Sequence, residues 1–214
     1  MSENHHLFFL INNFARHTPG LHTVMAAYAT GGAAVFGALL VAGWWLARRS
    51  GDPAEIARAL WAATCVPVSL AVNQPIVSLE HVRRPFTVAP HSLLLIRHAA
   101  DYGFPSDHAV MAGAVAAGLF TIHRWLGVTA LGAALFMAFA RVYVGVHWPA
   151  DVAAGLAVGA IVTLALGIGA VPLLRRVAEW LLGTRLRPVL QANGAGKSSK
   201  HSPDAELVSE SAAV

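Results

Sequence analysis

Charged residues are scarce in this sequence, and cysteine is nearly absent. Asp, Glu, Lys and Arg make up 12% of the 214 residues, while hydrophobic residues make up 56%; soluble globular domains carry about 25% charged residues. This deficit excludes an ordinary soluble domain and indicates a single-domain membrane protein. The lone cysteine, Cys65, excludes an intrachain disulfide, and its place in the apolar stretch WAATCVPVSLAV favours a small buried side chain.

The net charge of +4 does not indicate a nucleic-acid partner. Lys and Arg lie in short patches between apolar runs, whereas nucleic-acid binding uses a basic stripe or face. At the ends of apolar runs, the same residues set the orientation of membrane helices. Arg48, Arg49 and Arg58 bracket the loop SGDPAE, which the positive-inside rule places in the cytoplasm, and ten of the 15 Lys and Arg residues then lie inside.

Five apolar runs predict membrane-spanning helices, over residues 21–47, 56–79, 109–122, 125–144 and 152–171. The preceding segment, residues 1–20, has an apolar core, LFFLINNF, that is too short to span a bilayer and lacks the flanking signals of a secretory leader, so we expect an interfacial helix. The predicted fold class is an all-α integral membrane protein of about five transmembrane helices. Its membrane-embedded domain covers residues 21–176, and residues 188–214 form a small, polar, disordered cytoplasmic tail.

The segment RVYVGVHWPAD, from Arg141 to Asp151, places ionisable residues at the edge of a span, where desolvation is costly. His147 and Asp151 stand four residues apart, so a helix puts them on one face and lets the carboxylate orient the imidazole. Pro149 between them is tolerated in a first helical turn, which predicts a helix that begins near Trp148.

A second polar loop, which runs to His108, faces the same side of the membrane in this topology. In FPSDH, Ser106 is a natural N-cap, and Asp107 and His108 fall in the first turn of the next helix, where free N–H groups form an anion site. Arg84 in this loop and Arg141 in the other carry planar guanidinium groups that match phosphate oxygens. The residue types therefore predict a phosphate pocket with a nucleophile and an acid.

Three motifs together resemble the type 2 phosphatidic acid phosphatase superfamily. They are Arg84-Pro85, the run Pro105-Ser106-Asp107-His108, and Arg141 followed by His147 and Asp151. More narrowly, HAADYGFPSDH, RVYVGVHWPADVAAG and the INN-containing N-terminal segment resemble undecaprenyl-diphosphate phosphatases of the bacitracin-resistance type. The detailed likeness covers residues 73–155 and implies a helical-bundle phosphatase core.

The resemblance implies an enzyme of the bacterial plasma membrane whose site faces the periplasm or cell exterior. It would hydrolyse undecaprenyl diphosphate to undecaprenyl phosphate and phosphate, without metal or cofactor, and so support lipid-carrier recycling for cell-wall synthesis and bacitracin resistance. His147 would be the nucleophile that forms a phosphohistidine, Asp151 would hold its tautomer, and His108 would act as acid and then base. The candidate substrate-binding residues are Arg84, Arg141, Ser106, Asp107, Arg83 and His98.

The sequence departs from the superfamily's first motif. A lysine is usual seven residues before the arginine, and Val77 occupies that position, which leaves Arg83 or Arg97 as the substitute cation. His98 is the loop histidine expected to touch substrate, since it comes just before AADYGFPSDH. Ala140 replaces the serine that usually precedes the third-motif arginine. These departures leave the third cationic ligand open and do not affect the nucleophile.

Two alternative functions stay open at this point. The same site could act on phosphatidic acid or phosphatidylglycerol phosphate, because a lipid tail is recognised by apolar helix surfaces that the sequence does not distinguish. A non-catalytic transporter or metal-binding membrane protein is disfavoured, because the key histidines stand with arginines, which repel metal cations and cannot ligate them. The expected partners are a lipid phosphate and membrane lipids, without nucleic acid, and the oligomeric state is left open.

Overall fold

The computed structural model describes residues 3–185 and 187–190. The α-helices of this part of the chain are α1 (Glu3–His17), α2 (His22–Gly31), α3 (Ala33–Ser50), α4 (Pro53–Glu80), α5 (Pro85–Val88), α6 (Asp107–Phe120), α7 (Arg124–Tyr143), α8 (Pro149–Leu182) and α9 (Arg187–Leu190). A 3-10 turn, Pro19–Leu21, leads into α2, and Arg83 and Tyr102 form an isolated β-bridge. The predicted all-α class is confirmed.

Three helices of the described residues are long and apolar enough to cross a membrane by themselves: α4, α7 and α8. α2 with its preceding turn and α3 qualify together as a fourth span, with a bend of 56° between them. α6 has 14 residues, a rise of about 21 Å, which is less than the ~30 Å of a hydrocarbon core. By length and composition, three or four spans are therefore present where about five were predicted, and the difference is the short helix α6.

The first predicted span, residues 21–47, is broken at Gly32. At this point Met137 of α7 approaches so closely that a Cβ on Gly32 would lie 2.5 Å from its Cε atom. The bend lets α2 pack on α7 while α3 packs on α4 and α6. The predicted span is therefore present as two helices with a bend between them, because apolar composition does not encode a close approach by another helix.

α6 is the centre of the bundle, enclosed by α4, α7 and α8. Ten of its 14 residues are buried, and most of these are alanine or glycine, which lets neighbouring backbones approach closely. On the α8 side, a Cβ on Gly159 would collide with the backbone of Val110. This packing sets the first turns of α6 and α8 side by side, where the N–H of Ser106 donates to the carbonyl of Asp151 at 3.0 Å.

α8 continues well beyond its predicted end at residue 171. Its 34 residues run through Pro172, and at ~1.5 Å per residue they extend about 51 Å. The far end packs on the start of α4 and on α9, so the predicted domain border at residue 176 falls inside a helix. α9 takes up the first residues of the predicted tail, and residues 191–214 lie outside the described part of the chain.

The N-terminal segment forms α1, a helix of 15 residues. One face buries Phe8, Asn12 and Ala15 against the ends of α7 and α8. The opposite face leaves Leu10 and Phe14 exposed by 61% and 48%. A helix with one face packed on protein and large apolar side chains on the other is typical of a membrane interface.

Candidate active site

Both predicted loops converge on one cavity at the end of the bundle where α6 and α8 begin. The cavity has a volume of about 190 Å³. Six of the predicted site residues line it: Arg84, His98, Asp107, His108, Arg141 and His147. The other lining residues are Gln74, Val77, Asp101, Tyr102 and Pro105. The convergence expected from the topology is therefore present in the structure.

His147 lies at the centre of the site and is 2% exposed. Its Nε2 atom is 3.0 Å from Nη1 of Arg84, 3.2 Å from Nη2 of Arg141 and 3.2 Å from Oγ of Ser106. A guanidinium group only donates hydrogen bonds, so we assign Nε2 as the unprotonated acceptor and Nδ1 as the nitrogen that carries hydrogen. Burial, and then the charges of Arg141 and Arg84, lower the pKa of His147 well below its usual range. The imidazole is therefore neutral, with a lone pair on Nε2.

Asp151 holds His147 from the other side of the ring. Its Oδ2 atom is 3.4 Å from Nδ1 of His147 and accepts the backbone N–H of Trp148 at 2.8 Å. Pro149 begins α8 here, because a first turn does not need its missing N–H, and the carboxylate satisfies one of the N–H groups left free at the helix start. Asp151, four residues after His147, thus keeps the hydrogen of the imidazole on Nδ1.

Arg84 is 6% exposed and is held by several acceptors. Its Nε donates to Oδ1 of Asp101 at 2.6 Å, and its two Nη atoms donate to the carbonyls of Val146 at 3.2 Å and Tyr102 at 3.3 Å. Burial raises the pKa of Asp101, but the hydrogen bond and charge of Arg84 outweigh it, so the pKa is lowered. Asp101 was missed from the sequence; its signal was its place within AADYGFPSDH, the block that carries the family resemblance.

Arg141 is 2% exposed in the last turn of α7. Its Nη1 donates to the carbonyl of Ala29, near the end of α2, at 3.0 Å, and its Nη2 lies 3.3 Å from Nε2 of His98. Its Nε is buried and has no acceptor among the described residues. A buried donor left unpaired costs about 1–3 kcal/mol, and more when it is charged.

Polar residues of α4 hold the start of α6. Asn73 is fully buried, and its Nδ2 donates to Oδ1 of Asp107 at 2.7 Å and to the carbonyl of Pro105 at 3.2 Å. Nε2 of Gln74 donates to the same Asp107 oxygen at 3.2 Å. Polar residues within a span usually form such helix-to-helix hydrogen bonds. Here the bonds fix the turn that carries His108.

Ser106 is the N-cap residue of α6, as predicted, but its side chain does not cap the helix. Instead Oγ lies 3.2 Å from Nε2 of His147, a residue 41 positions away in sequence. Local sequence pattern does not reveal an acceptor so distant along the chain. The first-turn N–H groups of α6 are left without a side-chain cap.

The two arginines considered from the sequence as a third cationic ligand lie away from the cavity wall. Arg83 and Arg97 are exposed and do not line the cavity. Arg83 contributes its carbonyl, which accepts Nε1 of Trp148 at 2.9 Å. Val77, at the position of the expected lysine, does line the cavity, as does His98, whose side chain is 23% exposed. His98 is therefore the predicted substrate contact that the structure brings to this wall.

A second, apolar cavity adjoins the first and has a volume of about 130 Å³. Its lining residues are Ala33, Leu70, Met111, Asp107 and His108. The last two are shared with the polar cavity, so the apolar space begins beside the site and lies between α3, α4 and α6. A lipid phosphate could therefore place its headgroup and the start of its tail in adjoining spaces.

The chain is similar to several known proteins. The PAP2 superfamily model matches residues 58–170. The undecaprenyl-diphosphatase BcrC of Bacillus subtilis (strain 168) is 32% identical over 74% of this chain and 80% of that protein. An undecaprenyl-diphosphatase of Sulfolobus acidocaldarius is 42% identical over 36% of this chain, which spans 37% of that relative. The crystal structure of Aquifex aeolicus LpxE matches with a TM-score of 0.55 and 26% identity, over 77% of this chain and 94% of that one.

The family match covers more than half of the chain and contains the whole site. Every residue that lines the polar cavity, from Gln74 to His147, lies within the matched region. The apolar helices α4, α7 and α8 give the same region its membrane spans. The chain therefore belongs to the PAP2 superfamily and is a multi-pass membrane phosphatase of lipid phosphates.

Proposed function

We propose that the protein hydrolyses undecaprenyl diphosphate to undecaprenyl phosphate and inorganic phosphate through a phosphohistidine at His147. The observation that carries this proposal is the neutral His147, whose Nε2 has Arg84, Arg141 and Ser106 within 3.2 Å. Donors gathered around an unprotonated nitrogen form a site for a compact anionic group beside a nucleophile. A phosphoryl group in transfer has that charge and shape.

In the first step, Nε2 of His147 attacks the terminal phosphorus. The P–N bond forms as the bond from phosphorus to the bridging oxygen breaks, and the leaving lipid phosphate takes a proton from His108. Asp151 stabilises the charge that develops on His147 through the Nδ1 hydrogen. In the second step, water gives a proton to His108 while its oxygen attacks phosphorus, and the P–N bond breaks to release phosphate.

Charge neutralisation is the main catalytic contribution in such a transfer. Arg84 and Arg141 bind the equatorial oxygens, together with Ser106 and the first-turn N–H groups of α6. Both arginines line the polar cavity, which supports this role, since a phosphate oxygen is an acceptor of matching charge. His98 contacts the same group beside Arg141, and Asp107 lies where phosphate and lipid tail meet.

The apolar cavity supports a lipid as the substrate. The leaving group has to lie beside His108, and an apolar chain attached to it would continue past Leu70 and Met111. The two relatives named undecaprenyl-diphosphatase support a polyprenyl chain and a diphosphate. Release of the monophosphate carrier is the reaction that lipid-carrier recycling for cell-wall synthesis requires.

The distribution of arginines supports action on the side away from the cytoplasm. Arg48 and Arg49 lie in the last turn of α3, and Arg175 and Arg176 lie far along α8, at the end of the bundle remote from the site. A positive excess marks the cytoplasmic face. The site then faces the periplasm or cell exterior, and the C-terminal residues lie in the cytoplasm.

Phosphate release by the purified full-length protein in detergent, with excess EDTA, tests the proposal. We expect faster release from undecaprenyl diphosphate than from phosphatidic acid, and none from the His147→Ala variant. His91→Ala, which removes an exposed loop histidine, is the matched control and should keep the wild-type rate. Faster release from phosphatidic acid would overturn the proposed substrate. Activity in His147→Ala, or loss of activity in EDTA, would overturn the mechanism.

Trapping the intermediate tests the phosphohistidine directly. Brief incubation with substrate labelled in its terminal phosphate should leave label on the wild-type protein, bound as an acid-labile and base-stable adduct. His108→Ala should slow both the formation and the hydrolysis of this adduct, because the leaving lipid phosphate loses its acid and the water loses its base. A label retained by His147→Ala would place the nucleophile elsewhere.

A further inference from the structure

The side chain of Asn12 on α1 is fully buried and binds both backbone groups of one distant residue. Its Nδ2 donates to the carbonyl of Leu93 at 2.9 Å, and the N–H of Leu93 donates to its Oδ1 at 2.7 Å. One turn later, Arg16 donates to the carbonyl of His91. Together these bonds hold the segment 91–98 against α1 in one register, as a neighbouring strand would.

The other side of this segment is fixed by the turn that precedes His147. The N–H of Leu95 donates to the carbonyl of Val144 at 3.1 Å. Gly145 has a φ of +85° and lies so close to Leu93 that a Cβ would collide with the Leu93 carbonyl. The segment has no helix or strand structure of its own. The position of the segment therefore depends on α1 on one side and on the turn that precedes His147 on the other.

The segment ends at His98, whose ring lines the polar cavity. Nε2 of His98 lies 3.3 Å from Nη2 of Arg141, and its ring centre lies 6.5 Å from that of His147. Nδ1 lies 3.7 Å from Oδ1 of Asp101, the carboxylate that holds Arg84. The imidazole is thus within reach of a phosphate bound between the two arginines.

We propose that Asn12 is a positioning residue, which sets His98 against the substrate phosphate by holding the segment 91–98 in place. The inference rests on the proposed function, in which His98 contacts that phosphate. Val77 offers no charge at the position where the resemblance implies a lysine, so the site gains its further polar contact from a segment that α1 anchors. A buried amide that merely stabilises the fold would act independently of His98, so coupling between the two residues is the property to measure.

A double-mutant cycle measures this coupling on the full-length protein in detergent. kcat and KM for undecaprenyl diphosphate are determined for the wild type, Asn12→Ala, His98→Ala and the double variant. We expect Asn12→Ala to raise KM about tenfold with kcat changed less than about threefold, and to change KM less than about twofold when His98 is already alanine. An effect of equal size in both backgrounds would overturn the positioning role.

Asn13→Ala is the matched control, because Asn13 lies beside Asn12 on the exposed side of α1. It should keep the wild-type KM. If Asn12→Ala does not fold, Arg16→Gln takes its place, since it removes the contact with His91 from an exposed position. We expect Arg16→Gln to raise KM about threefold in the presence of His98 and to have no effect in its absence; an unchanged KM in both would overturn the inference.

Calorimetric titration of inorganic phosphate separates failure of this inference from failure of the proposed function. If the wild type releases no phosphate from undecaprenyl diphosphate, the proposed function fails, but the cycle can be completed on phosphate affinity. Losses of affinity that are coupled between Asn12 and His98 support the positioning role under either outcome. Losses of affinity that are additive, or no losses at all, overturn the positioning role. They do not bear on the proposed hydrolase function.

Discussion

Oγ of Ser106 lies 3.2 Å from Nε2 of His147 and takes no part in capping α6. A serine at this position usually satisfies a first-turn N–H group, a contact that contributes about 0.5–2 kcal/mol to stability. Because the hydroxyl points across to the turn before α8, it serves the site, and the first turn of α6 keeps its N–H groups for a ligand.

Ser106→Ala is therefore expected to lower kcat/KM by about 10- to 100-fold and to leave the melting temperature in detergent within about 1 °C of the wild type. Asp52→Ala is the matched control, because Oδ1 of Asp52 does cap α4 by accepting the N–H of Ala54 at 2.9 Å. That variant should lose stability and keep its activity. Equal losses of melting temperature in both variants would mean that the Ser106 hydroxyl is a cap.

Asp151→Asn keeps an oxygen that can accept the N–H of Trp148 but removes the negative charge beside Nδ1 of His147. The positive charge that develops on the His147 ring during phosphoryl transfer is then no longer stabilised, so we expect kcat to fall by about 10²- to 10⁴-fold. Steady-state rates and trapped phosphoenzyme measure this effect. Glu179→Gln, at an exposed ion pair farther along α8, should leave kcat unchanged. A value of kcat within threefold of wild type in Asp151→Asn would contradict the assigned role.

Asp101→Asn removes the charge that holds Nε of Arg84 at 2.6 Å. Its carboxylate is 56% exposed, so the ion pair contributes at most about 1 kcal/mol to stability, and we expect the melting temperature to change little. Binding should suffer more, because Arg84 loses its orientation; we expect KM to rise about three- to tenfold with kcat nearly constant. Initial-rate kinetics decide this, and a loss confined to kcat would contradict it.

Three histidines of the site make stability depend on pH. Burial is the first cause that lowers the pKa of His98, His108 and His147, in His108 to about 4, and nearby arginines lower it further. In the unfolded chain all three titrate near ~6.5. Below that pH the unfolded state binds protons that the folded state does not, so the free energy of unfolding falls as the pH drops from about 7 to about 5.

The melting temperature in detergent should therefore decrease over this range of pH. His147→Gln and His98→Gln remove a titrating group each and should flatten the decrease. His91→Gln, at an exposed position, should leave it as in the wild type. A melting temperature that rises toward pH 5 would mean that these rings gain protons on folding.

Contacts that follow from regular spacing could be predicted from the sequence. His147 and Asp151 meet because four residues bring them to one face where a helix begins, and Arg84 and Arg141 join them because the topology sends both loops to one end of the bundle. Six of the predicted residues consequently line one cavity. The roles assigned to them remain predictions.

Contacts made by irregular chain could not be predicted. The segment between α5 and α6 has little regular structure, so spacing does not encode which way Asp101 points or that Leu93 pairs with Asn12. The count of spans differs by the short helix α6 alone. An apolar run such as α6 looks the same in sequence whether lipid or protein surrounds it, and only the packing shows that α6 is enclosed.

The short helix α6 sets the depth of the reaction within the membrane. The end of α6 remote from the site meets the turn at His123 and Arg124, beside the exposed Trp125, and the rise of α6, about 21 Å, falls roughly 9 Å short of the ~30 Å hydrocarbon thickness. A helix shielded from lipid has no need to match that thickness. In the orientation proposed above, the scissile bond would lie below the headgroup plane, so the lipid carrier would keep its place in the bilayer during catalysis while water and orthophosphate travel along the membrane normal.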